Sequence, residues 1–136
     1  MLRVKDPAIA LDFYTRILGL RVLRKLDFEE MSFSLYFLAH PQPGELVPDD
    51  SGERMAHTFQ QRGVLELTHN WDTAQYVLGN AYGHIAIEID DIYACCEEVR
   101  QKGGKVVREP GPMKHGSTVI AFVEDPDGYK IEFTQK

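Results

Sequence analysis

The sequence has few cysteines, no long apolar run and fewer basic than acidic residues. Only two of its 136 residues are cysteines, the adjacent Cys95 and Cys96, which excludes a disulfide framework and favours a reducing compartment. They lie in a helical pattern, which favours a half-buried packing role over a soft-metal site. No apolar run approaches the ~18 residues of a membrane-spanning helix, and the first residues lack the apolar core of a signal peptide. We therefore expect a cytoplasmic protein with no membrane partner.

The shortage of basic residues limits the partners further. Lys and Arg total 15 against 21 Asp and Glu, which gives a formal net charge of −6. Nucleic acids and anionic membrane surfaces attract basic protein surfaces, so we expect neither as a partner. The length and the 43% hydrophobic content are those of one globular domain.

Hydrophobic periodicity predicts the same order of elements twice, a strand, a helix and three strands. The two predicted helices begin after Asp6 and Asp91, 85 residues apart, and end at Gly19 and Gly104, also 85 apart. Strands are expected at 1–4, 21–26, 32–38, 64–70, 84–89, 105–109, 118–124 and 129–134, and helices at 6–19, 52–61 and 91–102.

The repeat extends into the predicted strands. Val22 aligns with Val107, 85 residues apart, whereas Glu66 aligns with Glu132, 66 apart; the difference is a 19-residue insertion in the Pro- and Gly-rich stretch 40–62. The sequence thus predicts an α+β fold of two βαβββ modules with a curved mixed sheet. We expect a single domain over 1–136, with module 1 at about 1–70 and module 2 at about 84–136.

Two carboxylates and an imidazole stand at corresponding points of this repeat. Asp125-Pro126-Asp127-Gly128 predicts a tight turn that leads into the strand carrying Glu132. Glu66 is its repeat partner, and His84 begins the first strand of module 2. Each alone is typical of an ordinary strand residue, but together they are a ligand set for zinc, nickel, cobalt or iron. The register places the partner of His84 two positions before Met1, outside the sequence.

Several segments, LDFYTRILGL, LELTHNW, YGHIAIEIDDIY and AFVEDPDGYKIE, resemble those of the glyoxalase I (lactoylglutathione lyase) family of the vicinal oxygen chelate superfamily. The resemblance implies paired βαβββ modules and a homodimer with active sites at the subunit interface. One divalent metal, zinc or nickel/cobalt, would be held by Glu66 of one subunit with His84 and Glu132 of the other. The family's fourth ligand, a His or Gln, would precede Met1 by two positions.

The resemblance also implies a reaction and a substrate site. The small-molecule substrate would be the hemithioacetal of glutathione and methylglyoxal, isomerised to S-lactoylglutathione for methylglyoxal detoxification. Glu132 would be the principal base and Glu66 its partner on the other face of the substrate. Arg3 and Asn70 would hold the γ-glutamyl end of glutathione, and Met113 and Lys114 would close on its glycine carboxylate. The apolar pocket for the substrate methyl group would comprise Phe28, Phe33, Leu35 and Phe37, although ordinary core packing explains Leu35 and Phe37 equally well.

Three alternatives to an active glyoxalase I remain. An iron-dependent ring-cleaving dioxygenase would use two His and one Glu, and the pairing of Glu66 with Glu132 speaks against it. A non-catalytic module that binds small molecules, of the antibiotic-sequestering kind, would need no metal. A metal-poor glyoxalase that lacks the ligand upstream of Met1 would retain every residue present.

Overall fold

The computed structural model describes residues 1–40 and 42–135. The chain separates into two compact units, one from Met1 to Tyr76 and one from Val77 onward. Each unit contains the predicted order of one strand, one helix and three strands, which confirms the α+β fold with two βαβββ modules. That the modules form one domain stays a prediction. No helix in the described part of the chain is long and apolar enough to cross a membrane.

The first unit holds a four-stranded mixed sheet. Its strands lie in the order β1-β4-β3-β2, in which β1 runs parallel to β4 and the other neighbours are antiparallel. A single-turn 3₁₀ segment, Glu29–Met31, separates β2 from β3. The elements are β1 (Leu2–Arg3), α1 (Pro7–Asp12), which continues as a π-helical turn (Phe13–Ile17), β2 (Arg21–Phe28), β3 (Phe33–Ala39), α2 (Ser51–Gln60) and β4 (Leu65–Asn70).

The second unit repeats this topology. Its sheet has the strand order β5-β8-β7-β6, with β5 parallel to β8. The predicted curved mixed sheet is therefore divided into two four-stranded sheets, one for each module. The elements are β5 (Ile85–Ile89), α3 (Ile92–Gln101), β6 (Lys105–Pro112), β7 (Val119–Glu124) and β8 (Lys130–Gln135).

Local sequence explains where the helices begin. The Asp6 carboxylate accepts hydrogen bonds from the backbone N–H groups of Ala8 and Ile9 at 2.9 and 3.2 Å, and Pro7 occupies the first helical turn. Asp91 caps α3 in the same way through the N–H of Ala94 at 3.0 Å. The predicted helix starts are therefore confirmed.

The predicted end of the second helix, at Gly104, is wrong by one residue, whereas Gly19 follows the end of the first helix as predicted. Gly19 has a φ of +78°, and its counterpart is Gly103 with a φ of +84°, not Gly104. The first helix is one residue longer than α3, since the two glycines lie 103 − 19 = 84 residues apart. The π-helical turn accommodates the additional residue: the N–H of Leu18 bonds to the carbonyl of Phe13, five residues back, at 3.0 Å.

The one-residue offset continues into the next strand. Val22 pairs with Leu38, and Val106 pairs with Val123 in the second unit. Val22 therefore corresponds to Val106, and the predicted alignment with Val107 is wrong. In both units a β-bulge follows this position.

The strands that carry the two glutamates keep the predicted register. Glu66 on β4 pairs with Phe37 on β3, and Glu132 on β8 pairs with Phe122 on β7. The intervals are 132 − 66 = 66 and 122 − 37 = 85 residues, as the repeat requires. The structural equivalence of Glu66 and Glu132 is confirmed.

Each unit has a core of apolar side chains. Cys96 is fully buried in the second core, and burial raises the pKa of its thiol to about 11. Burial also raises the pKa of the half-buried Cys95. Both thiols are held in their neutral form, which suits the packing role expected of the pair. The largest fully buried side chains are Val4, Tyr14, Leu23, Leu38 and Leu67 in the first unit and Ile92, Val99, Val123, Ile131 and Phe133 in the second.

The turn before β8 depends on one buried carboxylate, and we predict that Asp125→Ala destabilises the protein. Asp125 is 4% exposed, and its Oδ1 accepts from the N–H groups of Asp127 and Tyr129 at 2.9 and 2.8 Å. Its loss leaves these N–H groups without their acceptor, which costs about 2–3 kcal/mol. Urea unfolding should show a lower midpoint at an unchanged slope.

The matched control for this prediction is Asp72→Ala in the exposed turn after β4. Its effect should stay within about 0.5 kcal/mol. Equal unfolding midpoints for the two variants would contradict the role assigned to Asp125.

Candidate active site

Two of the three predicted metal ligands meet in the second unit. Glu132 lies in the middle of β8, where it pairs with Ala86 of β5, and His84 immediately precedes β5. The parallel pairing of β5 and β8 brings His84 Nε2 to 2.8 Å from Glu132 Oε2. The imidazole ring also packs edge-on against Phe122 of β7, at 5.4 Å between ring centroids.

Solvent reaches the two side chains of this pair to different extents. The His84 side chain is 45% exposed and that of Glu132 is 14% exposed. The imidazole is thus accessible from solvent, whereas the carboxylate is held mostly within the sheet surface. An imidazole nitrogen beside a carboxylate oxygen fits a borderline divalent cation such as zinc or nickel.

Glu66 occupies the corresponding point of the first unit. It lies on β4 beside Phe37 and is partly exposed. The hydroxyl of Thr68 donates to its Oε1 at 3.2 Å, which leaves Oε2 for another partner. Among residues 1–40 and 42–135, no group of three or more His, Cys, Asp and Glu side chains is close enough to hold a metal ion. The predicted three-ligand set of Glu66, His84 and Glu132 stays a prediction.

The other predicted site residues of the first unit share one face of its sheet. Paired residues on neighbouring strands point to the same side, and successive residues alternate. Register therefore places on the face of Glu66 all the residues expected to bind substrate in this unit, namely Arg3, Phe28, Phe33, Leu35, Phe37 and Asn70. The opposite face carries the buried Leu2, Leu38 and Leu67.

The predicted apolar pocket divides into two parts. Phe28 and Phe33 stack at 4.7 Å at one end of the face. At the other end, the buried Phe37 packs against Phe59 of α2, with ring centroids 5.4 Å apart. The 19-residue insertion therefore covers part of the face through α2. The sequence alone does not predict the contact of Phe59 with this face, because the polar pattern of α2 does not indicate which sheet face the helix covers.

The end of β4 contains a contact that the sequence does not reveal. Asn70 Nδ2 donates to the hydroxyl of Tyr76 at 2.8 Å. Tyr76 belongs to the irregular connection after β4, where no periodic pattern predicts the path of the chain. The contact involves one of the residues predicted to bind glutathione.

The predicted substrate loop lies between β6 and β7. Met113 and Lys114 are both exposed there. The N–H of Met113 bonds to the carbonyl of Thr118 at 3.0 Å, which closes the base of the loop. That Met113 and Lys114 contact a ligand stays a prediction.

The family model "Glyoxalase/Bleomycin resistance protein/Dioxygenase superfamily" matches residues 1–133. A protein of Neisseria meningitidis named lactoylglutathione lyase is 56% identical over 136 residues, which are 100% of this chain and 87% of that protein. A protein of the same name from Escherichia coli O157:H7 is 46% identical over 136 residues, 100% of this chain and 89% of that protein.

Solved structures of glyoxalase I also resemble this chain. Glyoxalase I from Zea mays superposes with a TM-score of 0.81 at 38% identity; the match covers 99% of this chain and 43% of the maize chain. Glyoxalase I from Leishmania major, described as trypanothione-dependent, gives a TM-score of 0.74 at 34% identity and covers 99% of this chain and 83% of that one. The chain belongs to the glyoxalase/bleomycin resistance protein/dioxygenase superfamily and, within it, to the family of the lactoylglutathione lyases.

Proposed function

We propose that this chain is a lactoylglutathione lyase, which isomerises the hemithioacetal of glutathione and methylglyoxal to S-lactoylglutathione. The observation that carries the proposal is the contact of His84 with Glu132, at 2.8 Å, in a chain that retains the repeat-related Glu66. The relatives named lactoylglutathione lyase favour this enzyme over a non-catalytic binding module. A dioxygenase is disfavoured because the two equivalent strand positions both carry Glu.

His84, Glu132 and Glu66 would hold one divalent metal ion, zinc or nickel/cobalt. The ion would supply Lewis-acid stabilisation for the negative charge that develops on the two neighbouring oxygens of the substrate. His84 and Glu132 lie in one unit and Glu66 in the other; as the family resemblance implies, we propose that Glu66 comes from a second copy of the chain. The active protein would then be a homodimer with its sites at the interface.

Glu132 is the base in this proposal. The isomerisation removes a proton from the carbon that bears sulfur and returns one to the neighbouring carbon. A carboxylate with a 14% exposed side chain can keep that proton from exchanging freely with solvent during the transfer. Glu66 would face the substrate from the other side.

The remaining predicted residues would bind the rest of the substrate. Arg3 and Asn70 would hold the γ-glutamyl end of glutathione, where a guanidinium and an amide match a carboxylate and an ammonium group. Met113 and Lys114 would close on the glycine carboxylate. Phe28, Phe33, Leu35 and Phe37 would form the apolar pocket for the substrate methyl group, and Phe37 also packs against Phe59. We place the protein in the cytoplasm, where its two free cysteines would stay reduced.

We predict that the purified chain forms a thioester from glutathione and methylglyoxal when zinc, nickel or cobalt is supplied, and that chelator removes the activity. The measurement is thioester absorbance over time together with the bound metal per chain. Activity should return on addition of one of these metals in about stoichiometric amount. A chain that binds metal and S-methylglutathione but forms no thioester would contradict the enzyme and support the binding module.

A further inference from the structure

We infer that Tyr76 is a positioning residue for substrate binding, which holds the amide of Asn70 in the orientation that receives the γ-glutamyl group. The inference rests on the proposed function. It starts from the hydrogen bond from Asn70 Nδ2 to the Tyr76 hydroxyl at 2.8 Å. Both side chains are partly buried.

The backbone around Asn70 is held from both sides. Asn70 pairs with Phe33, and the N–H of the following Trp71 extends the ladder to the carbonyl of Ser32 at 2.9 Å. The carbonyl of Asn70 accepts from the N–H of Thr73 at 3.1 Å, which starts a turn. This turn reverses the chain after β4 and returns Tyr76 to the Asn70 side chain.

Side chains reinforce this arrangement on the opposite side of the sheet. The indole N–H of Trp71 donates to Ser34 Oγ at 2.9 Å, and that hydroxyl donates to Asp27 at 2.6 Å. Ser32 has a φ of +53°, the only positive φ of a non-glycine residue in the described ranges. Strained residues of this kind persist where the surrounding structure holds them and are frequent at functional sites. The position of Asn70 is therefore determined independently of any ligand.

The hydrogen bond with Tyr76 determines which atom of the Asn70 amide faces the substrate. With Nδ2 bound to the phenol oxygen, Asn70 presents its Oδ1 as an acceptor. The ammonium of a γ-glutamyl group is a donor and matches it. Asn70 also lies on the same sheet face as Glu66 and four residues further along β4, about 13 Å at ~3.3 Å per residue.

The test is Tyr76→Phe, which keeps the ring and removes the hydroxyl. We expect the KM for the hemithioacetal and the Kd for S-methylglutathione each to rise about 3- to 10-fold, with kcat within about 2-fold. Binding is read from the fluorescence of Trp71, the only tryptophan in the sequence, which is 42% exposed beside Asn70. Tyr93→Phe, an exposed tyrosine on α3, is the matched control and should change neither constant.

A double-mutant cycle separates positioning from general packing. In an Asn70→Ala background, Tyr76→Phe should have no further effect on KM or Kd, because the group that Tyr76 positions is absent. The inference would be overturned if Tyr76→Phe alone left KM and Kd unchanged, or if it raised them equally in the wild-type and Asn70→Ala backgrounds. Activity of the wild-type protein would still uphold the proposed function in either case. Absence of both thioester formation and S-methylglutathione binding in the wild-type protein would overturn the proposed function and this inference with it.

Discussion

Glu132→Gln is expected to lower kcat for thioester formation by roughly 10²- to 10⁴-fold, the range typical of a lost general base. Gln has the shape of Glu and its side-chain oxygen still accepts a hydrogen bond, but it cannot take up the substrate proton. The backbone of Glu132 is paired on both sides, with Ala86 and Phe122, so the strand should remain intact. The measurements are steady-state kinetics, metal content and the oligomeric state by size-exclusion chromatography.

The matched control is Glu124→Gln. Glu124 lies on the neighbouring strand β7, faces the same side of the sheet and has a side chain that is 25% exposed in an ion pair with Lys105. Its activity should stay within about 2-fold of wild type. Retained activity in Glu132→Gln would remove Glu132 from the role of base. Loss of activity together with loss of metal would restrict Glu132 to the role of ligand.

His84→Ala is expected to reduce bound metal after dialysis from about one ion per site to a small fraction, with a loss of activity of at least about 10²-fold. Changing a residue that only supports a ligand typically costs 10- to 100-fold in metal affinity or activity, and removal of the ligand itself should cost more. His84 also contacts Glu132 at 2.8 Å, so the variant releases the carboxylate from that partner. Metal analysis and zinc or nickel titration of the chelated protein measure the effect.

His40→Ala serves as the control for the histidine prediction, because His40 is exposed just after β3. It should keep wild-type metal content and activity. Equal metal content in His84→Ala and His40→Ala would show that His84 is not a ligand, whatever happened to the rate.

The elements were predictable where the sequence carries a local signal. Asp6 and Asp91 cap their helices because a carboxylate can accept from backbone N–H groups two or three residues ahead. The end of β6 was not predictable from the sequence: the strand was expected to stop at residue 109 and continues to Pro112. The strand is extended by the pairing of Pro112 with Val119 on β7. Such pairing depends on a distant segment, so the residues of β6 carry no periodic pattern that would reveal it.

The one-residue shift between the modules shows the same limit. An alignment by sequence spacing assumes that both helices contain the same number of residues. The π-helical turn of the first helix contains one extra residue, which spacing alone cannot locate. Gly19 and Gly103 therefore match, and the run Gly103-Gly104 alone could not show which glycine takes the positive φ.

By itself, the sequence determined the duplicated βαβββ order and the equivalence of Glu66 and Glu132, because strand alternation and the repeat interval are properties of consecutive residues. The tertiary structure alone decided that His84 meets Glu132 and that Tyr76 meets Asn70. The first contact depends on parallel pairing between strands distant in the sequence, and the second on the path of an irregular connection. Neither is encoded in a local pattern, since both arise only when separate backbone segments pair and turn.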